Sequence, residues 1–132
     1  MRTRPALTSA DVHKMMAACK TEAQKNKWNV TIAIVDDAGC MLMVERMDGA
    51  GPLSADVAVG KARGSAATRR PTKFLEDRVK DRPGFQTFPI FMQVQGGLPL
   101  MHDKECVGAI GVSGVQSHED EQVAQAGVTA LG

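Results

Sequence analysis

The residues of this 132-residue chain whose types could do chemistry together are Arg46, Asp48, Lys61, Glu76 and Ser113. Lys61 sits among Val57, Ala58, Gly60, Ala62, Gly64 and Ser65, so its ammonium has room to project into a pocket. There it would hold a carboxylate or act as acid or base. The same spacing equally suits a lysine lying along a helix surface past Val57. In a lyase or isomerase acting on a small anionic metabolite, Lys61 or Arg46 would fix the carboxylate, and Glu76 or Asp48 would move a proton. The aromatic loop from Phe85 to Phe91 would then shut out water. Ser113, in G-V-S-G, misses the G-x-S-x-G spacing of a nucleophile elbow, so no hydrolase triad is expected.

Other signals are weaker. The run V-G-A-I-G-V-S-G from Val107 to Gly114 spaces its glycines as G-x-x-G-x-x-G without a lysine, which matches neither the dinucleotide fingerprint nor the Walker loop. Gly108 and Gly111 instead fall inside a strand pattern, where a missing side chain marks a bulge or the close approach of another group. That group could be a helix, a partner subunit or a flat ligand. His102, Cys106, His118, Glu119 and Asp120 form no complete tetrahedral set, so they read as exposed turn and cap residues and no metal is expected. Cys19, Cys40 and Cys106 are odd in number and widely spaced, which argues for reduced, mostly buried thiols. His13 lies beside the apolar stripe of the first helix, as a surface residue that still has the chemistry of an axial iron ligand.

The elements that must position these residues follow from periodicity. Val12, Met15, Met16, Cys19 and Ala23 predict a helix over residues 9–25, with its cap at Thr8 or Ser9. Two β-branched and methionine-rich runs flank D-D-A-G and predict a hairpin turning over residues 36–39, apolar on both faces and so covered on both sides. A stripe of Ala55, Ala58, Ala62 and Ala66 predicts a close-packing helix over 53–68, and Thr72 caps a short helix over 73–80. Residues 81–97 read as a long loop with room for one extra strand. A second hairpin, over 98–101 and 105–112, precedes a final helix capped by Ser117. Adjacent hairpins make this an α+β chain with an antiparallel sheet.

With 43% hydrophobic and 23% charged residues and no long apolar run, the chain is expected to be one cytoplasmic domain over residues 1–132, without a membrane segment. Eight of the sixteen basic residues crowd into 61–82. With little aromatic interleaving there, nucleic acid is not an expected partner.

The pieces V-T-I-A-I-V-D-D-A-G, E-R-M-D-G-A-G-P-L-S, G-K-A-R, Q-G-G-L-P-L and V-G-A-I-G-V-S-G-V-Q-S-H-E-D-E-Q-V-A-Q-A-G, in this order, resemble the GlcG/HbpS-type "heme-degrading" domain family, also found at the C-terminus of PduO proteins. The resemblance runs from about Leu7 to Leu131. It implies a profilin-like fold with a five-stranded antiparallel sheet flanked by helices, and assembly into a homo-oligomer. It implies non-covalent heme binding, linked to heme degradation or sensing, with His13 and His102 as axial candidates and the basic segment meeting the propionates. For other relatives it implies a lyase in a catabolic operon, of the 4-hydroxylaminobenzoate type, without a cofactor. The motifs place Asp36, Arg46, Asp48, Lys61, Gly96, Gly97, Gly108, Gly111 and Ser113 at the family's positions, and Phe85 joins them as a ligand-binding candidate. One departure stands out, since Lys104 occupies the turn position where relatives carry glycine.

Overall fold

The structure, a computed structural model, describes residues 1–90 and 92–132. Phe91, the far end of the loop expected to exclude water, lies outside the described residues.

The first helix, α1 (Ser9–Lys25), starts at a reciprocal cap. The Asp11 N–H donates to Thr8 Oγ1 at 3.2 Å, and the Thr8 N–H donates to Asp11 Oδ2 at 2.8 Å, so two orphan donors are satisfied at once. β1 (Thr31–Asp36) and β2 (Met41–Arg46) form the expected hairpin. Asp36 Oδ1 accepts the N–H groups of Ala38 and Cys40, each at 2.9 Å, and Gly39 takes the left-handed φ of +85° that closes the turn. α2 (Leu53–Thr68) has the bounds its alanine stripe predicts. α3 (Thr72–Asp81) and a 3₁₀ turn (Pro83–Thr87) follow. β3 (Gly97–His102), β4 (Glu105–Ser113) and α4 (Ser117–Leu131) complete the chain.

The sheet order is β2-β1-β4-β3, with antiparallel neighbours throughout. Among the described residues it has four strands, one fewer than the resemblance implied: residues 81–90 and 92–96 hold a helix end, a 3₁₀ turn and irregular chain. On one face α1 and α4 bury Ile32, Ile34, Leu98, Leu100, Ile110 and Val112. Each large aliphatic side chain withdrawn there contributes about 1.5–3 kcal/mol. On the other face α2 lays Ala58, Ala62 and Ala66 on Ala33, Val35 and Ala109.

Three local expectations change. Coverage on both sides holds for β1 but not for β2, an edge strand whose Met41, Leu42 and Val44 are exposed. Thr72 is the first residue of α3, not its cap, and its buried hydroxyl accepts the Gly97 N–H at 2.9 Å instead. Gln116, not Ser117, caps α4, with Glu119 Oε1 accepting the Gln116 N–H at 3.2 Å. The β3–β4 turn shows what the missing glycine costs. Asp103 and Lys104 have φ of 48° and 67°, the two positive values a two-residue hairpin loop demands, and Lys104 bears the Cβ crowding that glycine would avoid.

Candidate functional site

Lys61 is 2% exposed. Its Nζ donates to Asp120 Oδ2 and to the Val112 carbonyl, both at 3.0 Å, while Asp120 Oδ1 accepts the Val115 N–H at 3.1 Å. Asp120 is likewise 2% exposed, so its reading as an exposed cap residue is overturned. Burial pushes the Asp120 carboxyl up from its ordinary range, against the pull of the Lys61 ammonium and the Val115 N–H. Gly96 and Gly97 border this pair: a Cβ on Gly96 would sit 2.7 Å from Lys61 Nζ, and one on Gly97 2.5 Å from the Lys61 carbonyl oxygen. A Cβ on Gly111 would strike the backbone of Ala58 and Ala62. On the opposite face, a Cβ on Gly108 would strike the Val35 carbonyl and come within 2.9 Å of Leu7. What lies against the bare glycines is therefore protein: α2 over Gly111, Lys61 over Gly96, and the N-terminal segment over Gly108.

The other candidates for proton and carboxylate chemistry lie apart from Lys61. Arg46 and Asp48 line an open cleft of about 340 Å³ with Lys20, Gln24, Asn29 and Glu45. Glu76 is on α3, 3.7 Å from Lys73, its neighbour one helical turn back. Ser113 is half-buried at the end of β4, opposite Thr31. Phe85 packs on Phe88 with ring centroids 4.7 Å apart and carries the Arg82 guanidinium 5.2 Å from its ring. Much of the basic segment is occupied within itself: Arg70 and Arg78 lie 4.5 and 4.9 Å from the Phe74 ring, and Lys73 pairs with Asp77 at 2.9 Å.

The two histidines differ in preparation. His13, exposed on α1, has Nδ1 2.8 Å from the Ser9 carbonyl oxygen. A carbonyl only accepts, so Nδ1 carries a proton, and in the neutral ring Nε2 is then the nitrogen with the lone pair. A backbone carbonyl holding the second ring nitrogen is the arrangement that orients a metal-ligating imidazole. The cleft beside it, about 160 Å³, is lined by Leu7, Thr8, Ser9, Val12, Leu42 and Met43. His102, also exposed, has Nε2 3.4 Å from Asp103 Oδ2 and shares a cleft of about 200 Å³ with Asp11, Leu7 and Val107. Asp11 lines this cleft and Asp103 lies beside the ring, so two carboxylates there repel an anionic ligand. No residue of the basic segment lines either cleft.

The spacing of residues in sequence gave no signal for Asp120 as the partner of Lys61, since 59 residues separate them. The Ser9–His13 contact, by contrast, is one helical turn and follows once the helix is drawn.

Residues 7–129 match the model of the family described as haem degrading protein HbpS-like, and the chain belongs to that family. Protein GlcG of Escherichia coli K12 is 40% identical over 114 residues, covering 86% of this chain and 85% of that protein. Two solved structures agree with the fold. A double mutant of Streptomyces reticuli HbpS superimposes with a TM-score of 0.93 at 34% identity, covering all of this chain and 91% of that one. A complex of PduOC with heme does so with a TM-score of 0.87 at 28% identity, covering 96% of this chain and 95% of that one. The family is thus one with a heme-binding member. No helix among the described residues is long and apolar enough to cross a membrane.

Proposed function

We propose that this chain binds heme non-covalently, with His13 Nε2 as the ligand it offers to iron. The observation that carries the reading is the 2.8 Å contact of His13 Nδ1 with the Ser9 carbonyl, which orients the ring and makes Nε2 the ligating nitrogen of the neutral imidazole, beside an apolar cleft. The heme complex of a relative supports the ligand class. Bound heme would supply a redox-active iron centre. A cleft of about 160 Å³ is smaller than the roughly 300–1,000 Å³ that encloses a drug-sized ligand, so the chain offers the porphyrin one face. Leu42 and Met43 give that face apolar contact, and Leu42, at 42% exposure, has area left to bury.

The reading extends to self-association. Met41 and Val44, outside the His13 cleft, leave further apolar area on an edge strand, and a second copy of this chain would cover it. The lyase reading is not carried forward, because Lys61 is spent on Asp120 and Glu76 lies on α3, away from the cleft shared by Arg46 and Asp48.

Titration with hemin, followed in the Soret band, is expected to saturate at a fixed stoichiometry. His13→Ala is expected to shift the band and weaken binding at least tenfold, while His102→Ala changes neither. A featureless, unsaturating titration would sink the proposal.

A further inference from the structure

We infer that the groove between α1 and β2 orients the porphyrin, with the iron at His13 and the propionate carboxylates at Lys20, whose present partner Glu45 gives way to them. This rests on the heme reading above. Residues seven apart on a helix share a face, so His13, Ala17, Lys20 and Gln24 form one stripe along α1. The stripe faces β2 at both ends: His13 shares its cleft with Leu42 and Met43, and Lys20 Nζ lies 2.8 Å from Glu45 Oε2. Helix and strand therefore run side by side in the same direction. From His13 to Lys20 the helix rises about 10 Å, a distance of the order that separates a heme's iron from its carboxylates. Between the two lies Ala17, exposed and too small to block a flat ring.

The two clefts at the ends of the stripe differ in lining as the parts of a porphyrin's own surface do. The His13 end is walled by Leu7, Val12, Leu42 and Met43, and the Lys20 end opens into the polar cleft holding Gln24, Asn29 and Arg46. A porphyrin is apolar over most of its area and carries both carboxylates on one edge, so only one orientation matches. The carboxylates that face this end are Glu45 and Asp48. Glu45 occupies Lys20 through a pair whose side chains are 35% and 42% exposed. Water screens such a pair, and a ligand carboxylate can exchange for Glu45.

The test compares hemin with hemin dimethyl ester, which keeps the iron and ring but has no free carboxylate, on the full chain at fixed low salt. Lys20→Met is expected to weaken hemin binding about fivefold, leaving the ester's affinity and the Soret position unchanged. Glu45→Gln, which removes the competing carboxylate, is expected to tighten hemin by a similar factor. Equal losses for hemin and ester in Lys20→Met, or weaker hemin binding in Glu45→Gln, overturn the orientation while leaving heme binding intact. A wild-type titration that fails to saturate, or one indifferent to His13→Ala, overturns the heme reading and this inference with it.

Discussion

Two lysine–carboxylate pairs of nearly equal length sit in opposite settings. Lys61 and Asp120 are 3.0 Å apart with both side chains 3% exposed, and Lys20 and Glu45 are 2.8 Å apart with theirs 35% and 42% exposed. Distance therefore does not rank them, and burial does. In the interior each charge has given up its water, so each depends on the other. At the groove both keep water, and the pair is exchangeable. The buried pair ties α2 to α4 and to the end of β4, and the exposed one lies where a ligand can enter. The lysine that looked most catalytic in sequence is thus a tie within the fold.

The largest expected effect is on the interior pair. Lys61→Met leaves the Asp120 charge buried and unpaired, and should lower unfolding free energy by about 3–5 kcal/mol, read from thermal or urea unfolding. Replacing both partners with apolar residues should restore much of that loss. Lys20→Met should cost less than about 1 kcal/mol. Comparable losses at the two sites would break the comparison.

Next in size is the packing that holds the interior shut. In Gly111→Ala the new methyl meets backbone of α2, which cannot swing aside as a side chain can. A loss of about 1–3 kcal/mol is expected in urea unfolding, without change in hemin affinity.

The thiols repeat the contrast between inside and outside. Burial pushes the Cys19 thiol up to about 12, against the Gly127 backbone hydrogen bond, and Cys106 is buried, whereas Cys40 is exposed in the first hairpin. A thiol reagent at neutral pH should modify Cys40 rapidly and the other two only on unfolding, and Cys40→Ser should remove the fast phase. Rapid modification of Cys19 would mean that the α1–α4 interface opens readily.

The smallest effect is one of pH, and two aspartates give it opposite signs. Hydrogen bonds from the Thr8 N–H and hydroxyl hold Asp11 below its usual 3.8, so the cap's contribution is present above that value and is lost as pH falls through the lowered one. Asp120 is raised, so its own contribution is present below 3.8 and declines as pH rises through the elevated value. Acidification should therefore fray the first turn of α1, beside His13, while the raised Asp120 carboxyl adds no matching loss of its own. The protection factor of the Asp11 amide should fall as pH drops through that lowered value, with the amides of β4 still protected.

Much of the fold was legible because its rules are short-ranged. The period of Val12, Met15, Met16, Cys19 and Ala23, the D-D-A-G turn and the alanine stripe fixed α1, the first hairpin and α2. The His13 tautomer also follows locally, from a carbonyl one turn back. Caps were less secure: residue type pointed to Ser117, and the backbone puts the cap one residue earlier at Gln116. The number of strands was an expectation carried by resemblance, and the described residues of the loop, 82–90 and 92–96, supplied none.

By itself, then, the sequence determined the family, the element order and which residues carry chemical groups. The tertiary structure decided which of those groups are available. Asp120 meets Lys61 because α4 returns to the sheet face at the end of β4, and Gly96 leaves space for the ammonium. His13 meets Leu42 and Met43 because α1 lies along the edge strand β2. Neither meeting has a sequence period, since both depend on how the sheet orders its strands, and burial then makes one lysine a tie and leaves the other free to exchange.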